Sequence, residues 1–516
     1  MSRRAFFRQL AGFGLATAAA PDEWARASTP AAGGSPLGLH PFIEAHPEAV
    51  FIRRTKVAAK TDAEAIRREA LALAREVFTL RRGPGLALTQ TVAIKPNLTS
   101  TKKTGLTHAI VTDPYAVEGL VDGLKEQGIA PGSIFVREGL MVEQPTTGYP
   151  EMALRAGVHY GDDHSRTPTT RECPDGVVFR RTKYLGPFAY PDSFLINVAK
   201  HKTHSMGLTL CVKNLQGTNV PPYIRFCGGL NPALAADFQP DAQKHVDDLY
   251  EKHLRAGLPR WETAKGPWME MWAQRTIDHY ALIQPSVGLH VIEGIYAQNG
   301  DAFDGGPGPS GLPEVFMTNI LVFGKDAFRV DIVGHWLGGH EPGNFGLFHL
   351  GRERGVTTAL DPKNVPVYAW EDDGPRLAPL DSFARVALAS PYLPKPGEER
   401  FHLCNEPFAY AAEPKAACLS GGDRPSLRAL GETRSPTGRT SLAVEYGLPA
   451  EGPACLEVLD SLGERVGVLA QGRMARGLHT TTWRPERLSP GAHWWRFRAE
   501  GVDLLRPAAA PRRSPG

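Results

Sequence analysis

Residues 194–217, FLINVAKHKTHSMGLTLCVKNLQG, constrain the fold more than any other part of this chain. An apolar run over 194–198 ends abruptly in Lys200, His201, Lys202, Thr203 and His204. Lys213, Asn214 and Gly217 follow, and no acidic residue lies between Asp192 and Asp237. A short apolar run bounded by polar residues reads as a strand buried on both faces of a parallel sheet. Ligands of open parallel sheets bind beyond the carboxyl ends of the strands. Cations without a counter-charge nearby in sequence point to a bound anion, because unpaired buried charge is costly. A solvated basic turn is the plainer alternative; the amide and glycines that follow favour a ligand.

The flanking segments place that strand in an α/β domain. Residues 62–80 have helical spacing, with Ile66, Ala70, Leu73, Val77 and Leu80 on one face. Residues 91–94 read as a strand. Asp113 and Pro114 open a helix with Val117, Leu120, Val121 and Leu124 as its apolar stripe, ended by Gly128. Residues 133–136 form the next strand, which completes a βαβ unit and predicts a mostly parallel sheet with covering helices. Residues 192–198, 288–292 and 319–323 supply further strands, and Asp326 opens another helix. Residues 237–283 read as a helical insertion that covers the core, with a lid over the ligand site as the alternative.

The chain has 516 residues, enough for two or three domains, and a formal net charge of +3. That near-neutral balance lacks the basic field of a general nucleic-acid binder. No stretch beyond the N-terminal run approaches the roughly 20 apolar residues of a membrane span. Ser2-Arg3-Arg4-Ala5-Phe6-Phe7-Arg8 resembles the twin-arginine export motif S-R-R-x-F-L-K, and an apolar run and A-x-A-like sites follow it. The expectation is a signal peptide over 1–27, export to the periplasm or beyond, and a linker over 28–49. After a turn-rich linker over 391–425, short alternating stretches recur at 440–446, 454–459, 465–469, 477–483 and 493–498, as in an all-β sandwich. This region, 426–505, resembles the immunoglobulin-like module of flagellar hook-capping proteins. The resemblance implies a structural or adhesive part and a possible attachment to the cell envelope. Residues 506–516 read as a disordered tail.

Three blocks resemble the signature of the DUF362 family, whose function is not known. The first is Ile196-Asn197-Val198-Ala199-Lys200-His201-Lys202-Thr203-His204 with Lys213-Asn214-Leu215-Gln216-Gly217. The second is Val92-Ala93-Ile94-Lys95-Pro96-Asn97-Leu98. The third runs from Gln284-Pro285 through Glu293-Gly294 to Asp326 and Asp331. The resemblance covers residues 50–360 and implies an α/β domain over 50–390. Many relatives carry closely spaced cysteines for iron–sulfur clusters. Here Cys173, Cys211, Cys227, Cys404, Cys418 and Cys455 are scattered with no C-x-x-C, so no iron–sulfur cluster is expected and the redox reading is the weakest. Cys404 and Cys418 are candidates for a disulfide in an oxidising compartment.

The candidate ligand-binding residues are Lys95, Asn97, Lys200, Lys202, Lys213, Asn214, Gly217 and Asp331. Lysines present compact charge to a phosphate or carboxylate, and amides both donate and accept. Alternation puts Lys200, Lys202 and His204 on one side of the strand, converging on one ligand, with His201 on the other. His204, His201 and Glu293 are the candidates for acid–base chemistry. A metal at His201, His204 and His108 lacks the usual carboxylate or thiolate, and none is expected. His335, His340 and His349 read mainly as ordinary helix and loop histidines. Asp326 reads as a helix cap, Asp331 as a carboxylate that neutralises one lysine. No nucleophile elbow, phosphate-binding loop or dinucleotide fingerprint follows a strand. The reading is a protein that binds, and as an enzyme transforms, a small anion whose identity the sequence does not specify. A non-catalytic envelope binding protein is the alternative.

Overall fold

The computed structural model describes residues 37–80, 90–98, 109–139, 147–161, 167–204, 207–208, 210–224, 229–258, 266–299, 314–385, 408–410, 426–434, 440–448, 451–460, 464–474, 477–483, 493–499 and 502–508. The export motif, His108, Cys227 and the Cys404–Cys418 pair lie outside them.

The described residues begin with β1 (Leu37–Leu39), then β2 (Val50–Arg54), β3 (Phe78–Leu80), β4 (Val92–Pro96), β5 (Ile134–Val136) and β6 (His159–Tyr160). Between β2 and β3 the helix Ala63–Val77 starts at Asp62, whose side chain accepts from Ala65 N. It buries Ile66, Ala70, Leu73 and Val77, as the spacing predicts. It stops three residues early because Phe78 turns extended and β3 pairs with β1. Residues 37–45 therefore depart from the expected linker: Leu37, Leu39 and Ile43 are buried, and that gain outweighs chain freedom.

A hairpin, β7 (Thr169–Glu172) and β8 (Arg181–Tyr184), precedes β9 (Phe194–His204) and the short β10 (Gly207–Leu208). β11 (Val287–Asn299), β12 (Glu314–Gly324), β13 (Val367–Glu371) and β14 (Gly374–Leu377) complete a ten-stranded sheet. Its order is β14-β13-β2-β12-β11-β9-β4-β5-β6, with β10 on β9. The sheet is mixed. β11, β9, β4, β5 and β6 run parallel, but β12 lies antiparallel to both β11 and β2. A "mostly parallel" sheet follows from βαβ spacing; β12 instead pairs antiparallel with β11, and period counting does not give strand direction.

Strand alternation builds two cores. Val92, Ile94, Ile196 and Val198 face one layer with the helices Ala63–Val77 and Pro114–Glu126. Ala93, Leu195 and Ala199 face the other, with the helices Gly266–Ile283 and Ala327–Leu337. Burial on both faces is why β4 and β9 read as continuous apolar runs. The chain leaves β4 for β5 on one side and returns as β9 on the other, so a topological switch point lies between them.

The 237–283 segment covers the core. Met269, Trp272, Ala273 and Ile277 join the cluster that includes Val212 and Leu215. Its two helices, Ala242–Arg255 and Gly266–Ile283, are pinned by His253, whose Nδ1 lies 3.0 Å from Glu270 Oε1 and whose Nε2 lies 2.6 Å from Glu353 Oε2. Burial pushes this imidazolium down, but the two carboxylates overcome it and raise His253 to about 9. The folded value lies above the unfolded one, so this contribution is complete below about pH 6.5 and is lost as pH rises through about 9. Stability measured by urea unfolding is expected to fall by about 2–3 kcal/mol from this group between pH 6 and 10. His253→Gln should flatten that slope; equal slopes in both proteins would refute the assignment.

Seven antiparallel strands follow: β15 (Ser426–Arg434), β16 (Thr440–Leu448), β17 (Gly452–Leu459), β18 (Arg465–Met474), β19 (Gly477–Trp483), β20 (Trp494–Ala499) and β21 (Val502–Pro507). They form sheets of order β15-β16-β19 and β18-β17-β20-β21, with Leu442, Val444, Leu456, Val458, Trp495 and Phe497 in one core. β21 pairs with β20 as far as Pro507, so Arg506 and Pro507 belong to a sheet rather than to the expected tail. Among the described residues no helix is long and apolar enough to cross a membrane.

Candidate functional site

β9 does not end where its apolar run ends. It continues through Lys200, His201, Lys202 and Thr203, all buried, to a half-buried His204. A strand can carry charge inward only if other elements answer it, and two carboxylates do. Lys200 Nζ lies 2.5 Å from Glu293 Oε2, contributed by the neighbouring β11. Lys95, on β4, pairs with Glu138, which follows β5. These partners are 93 and 43 residues away in sequence, so the acid-free stretch around β9 was no guide to its charge balance.

The two pairs occupy opposite faces of the sheet. Lys95 shares its face with Ala93, on the side of the helix Cys211–Asn214. Lys95 Nζ donates to Asn214 Oδ1 at 3.0 Å and to Pro96 O at 2.6 Å. Asn97 Nδ2 donates to the same Asn214 oxygen at 3.2 Å. Asn214 Nδ2 reaches Lys95 O at 3.1 Å and Asn197 Oδ1 at 2.8 Å, and Asn197 Nδ2 continues to Cys211 O and His290 Nδ1. The expected residues Lys95, Asn97 and Asn214 thus form one buried network with Glu138, Asn197 and His290. Burial lowers the Lys95 pKa against the pull of Glu138.

Gly217 belongs to this network by its lack of a side chain. A Cβ there would stand 2.7 Å from Lys95 Nζ and closer still to Glu138 Oε1. Gly217→Ala is expected to force the ion pair apart at a cost of about 1–3 kcal/mol. A crystal structure of the variant with an unchanged Lys95–Glu138 pair and an unchanged melting temperature would contradict this.

On the other face, β11 leaves register between Glu293 (opposite Lys200) and Gln298 (opposite Lys202). This irregularity places the Tyr296 ring 3.4 Å from Lys200 Nζ. The Tyr296 hydroxyl donates to Asp113 Oδ2. Glu293 accepts from the backbone N–H of Asp113 at 3.2 Å and of Ile295 at 3.1 Å. Burial pushes Lys200 down and Glu293 up, each against the attraction of its partner. Lys200 is therefore committed to Glu293 rather than converging with Lys202 and His204 on one point. Glu293 stands in an ion pair, which lowers its availability as a free base.

Lys202, Lys213 and His204 share the remaining positive region. Burial lowers Lys202 far below the ordinary lysine value, and Lys213, Lys200 and Lys95 push the same way against Glu138. Burial and the charges of Lys213 and Lys202 hold the His204 imidazole well below its usual value. His201 points the other way, its Nε2 3.2 Å from Gly334 O, and burial takes it to about 4.

Asp331 does not neutralise a lysine. Its carboxylate accepts from Cys211 N at 2.7 Å and Val212 N at 2.8 Å, at the start of the helix that carries Lys213 and Asn214. It orients that helix; burial raises it to about 8. Asp326 caps its helix as expected, accepting from Phe328 N and Arg329 N. His335 and His349 bond backbone carbonyls of Leu208 and Gly343. Among the described residues no group of three or more His, Cys, Asp or Glu is placed to hold a metal. Sequence reasoning missed Glu138 and Tyr296. The one signal for Glu138 is its place just beyond a parallel strand; Tyr296 had none, because only the β11 irregularity turns its ring over Lys200.

No curated protein and no solved structure is a match for this chain. Residues 92–335, which contain β4, β9, β11 and every residue of both lysine networks, match the family described as Domain of unknown function (DUF362), and this match supports the DUF362 family for the α/β part of the chain.

Proposed function

We propose that this protein binds a small anion, a carboxylate or a phosphate, beyond the ends of β4 and β9 at Lys202, Lys213 and His204. The observation that carries the reading is the electrostatic setting of Lys202: a fully buried lysine whose charge is opposed by burial and by three other lysines and supported by Glu138. An anion entering there would relieve that repulsion. The switch point between β4 and β9 is where open sheets of this kind hold ligands. Burial and the neighbouring lysines make His204 a weak base; a bound anion would offset those charges and let it take a proton, which is the enzymatic form of the reading.

Calorimetric titration with inorganic phosphate and with acetate tests the anion site. Lys202→Met and Lys213→Met are each expected to weaken binding about ten- to hundred-fold, the worth of one charged contact. Binding that is absent in the wild type, or unaltered in both variants, would remove the proposal. Unchanged affinity in His204→Gln with loss of turnover would distinguish an enzyme from a binder.

The remaining readings are proposals on sequence grounds. Export by the twin-arginine route is tested by Arg3→Lys/Arg4→Lys and fractionation of the host cell. The seven C-terminal strands are compatible with an immunoglobulin-like module that attaches the protein to the envelope. Removing it should release the α/β domain into the soluble fraction.

A further inference from the structure

Lys95, Asn197 and His290 stand side by side on β4, β9 and β11, paired in register. They make a polar row across a sheet face whose adjoining positions Leu195, Ala199 and Ile292 are apolar and buried. Asn197 and His290 are themselves fully buried. A polar row in such a place is stable only when its donors meet acceptors.

Backbone carbonyls, which only accept, fix the direction of the bonds in this row. Gln284 faces Lys325 O at 3.0 Å, so the facing atom is Nε2, and its Oε1 is left to face His290 Nε2 at 2.9 Å. Asn197 faces Cys211 O at 2.9 Å, so the facing atom is Nδ2, and the same amide nitrogen faces His290 Nδ1 at 2.9 Å. His290 therefore donates from Nε2 and accepts at Nδ1. One neutral tautomer satisfies both neighbours, whereas an imidazolium would set its Nδ1–H against an amide N–H. Burial also disfavours the cation and takes His290 to about 3. Asn214 is fixed in the same way: its Nδ2 reaches Lys95 O at 3.1 Å and Asn197 Oδ1 at 2.8 Å, and its Oδ1 accepts from Lys95 Nζ.

Asn197 thus grips the helix Cys211–Asn214 at both ends, through Cys211 O and Asn214 Nδ2, and Lys213 is carried between them. His290 supplies the second acceptor that this amide needs. Without it, a buried Asn197 N–H loses its partner, and the amide must give up part of its grip to find another.

We propose that His290 is a positioning residue: held as the tautomer protonated on Nε2, it orients Asn197, which fixes the helix that presents Lys213 to the bound anion. The inference rests on the anion reading above and names the device that holds one of its cations in place. His290 acts through Asn197 and touches no ligand.

The test separates the two bonds of the ring in the full-length protein. Asparagine at 290 can put an oxygen where Nδ1 stands, so His290→Asn keeps the acceptor for Asn197 and loses the donor to Gln284. His290→Gln reaches Gln284 and leaves Asn197 without its acceptor. Each variant gives up one hydrogen bond, so the urea midpoints should fall by similar amounts. Calorimetric titration with inorganic phosphate should instead split them: about five- to ten-fold weaker binding in His290→Gln, and binding within about two-fold of wild type in His290→Asn. Nitrogen-15 spectra of the wild type, with the signal assigned by its loss in His290→Asn, should show Nε2 protonated and Nδ1 bare. A protonated Nδ1 overturns the inference without reference to any variant's folding. Equal phosphate affinity in His290→Asn and His290→Gln overturns the positioning role and leaves the anion site standing. Wild-type protein that binds no phosphate overturns the anion reading and this role together.

Discussion

Replacing Glu293 with leucine is expected to destabilise the protein by about 3–5 kcal/mol, the cost of leaving one partner of a buried ion pair alone. Three consequences of the same deletion add up. Lys200, fully buried, loses the carboxylate that supports its ammonium against burial. The backbone N–H groups of Asp113 and Ile295 lose their acceptor. The Tyr296 ring is left as the nearest partner for the stranded charge, and a cation–π contact is worth far less than a buried carboxylate. Lys200→Met should cost less, because the carboxylate would retain two N–H donors, and burial favours its protonation. The double variant should recover part of the loss, since an apolar pair of similar volume needs no counter-charge. Urea unfolding of the three proteins measures this. A Glu293→Leu variant within about 1 kcal/mol of wild type would show that the pair is not closed in solution.

Asp278→Ala is expected to have an effect of similar size, about 3–5 kcal/mol. Asp278 is fully buried, and its carboxylate accepts from Val177 N at 3.0 Å, Val178 N at 2.8 Å, Phe179 N at 2.9 Å and Arg354 Nη2 at 2.6 Å. Alanine would strand three amide donors and leave the Arg354 guanidinium with only the Gln274 oxygens as partners. The damage should reach the candidate site. The hairpin held by Asp278 supports the segment with Gly217, through Leu185 N to Thr218 O at 2.9 Å and Val220 N to Lys183 O at 3.1 Å. Hydrogen exchange should therefore show faster opening over both 177–185 and 215–220. Faster exchange at 177–179 alone would mean that the hairpin and the Gly217 segment open independently. Asp278→Asn, which keeps an acceptor, should lie between alanine and wild type.

The lysines and asparagines of the site were legible in the sequence for a simple reason. Lys95 and Asn97 sit at the end of β4, and Lys200 and Lys202 sit where an apolar strand turns polar; a strand end is visible in one dimension. So were the caps Asp113 and Asp326, whose hydrogen bonds close within three residues. The roles of these groups were not legible. Lys200 and Lys202 alternate correctly along β9, yet Glu293 claims Lys200, and Asp331 serves a helix start rather than a lysine.

What the sequence by itself determined is local and periodic: strands β4 and β9 with their two apolar faces, the helices between strands, and five of the seven C-terminal strands, β16 to β20, apart from their edges. Only the tertiary structure decided the antiparallel place of β12, the turning of Tyr296 over Lys200 and the carboxylates that answer Lys95 and Lys200. Strand and helix periods follow from backbone geometry within a few residues, so they are written along the chain. Charge balance inside a protein depends on distance through a poorly screening interior, and residues 43 and 93 positions apart meet there only because the sheet brings their strands side by side.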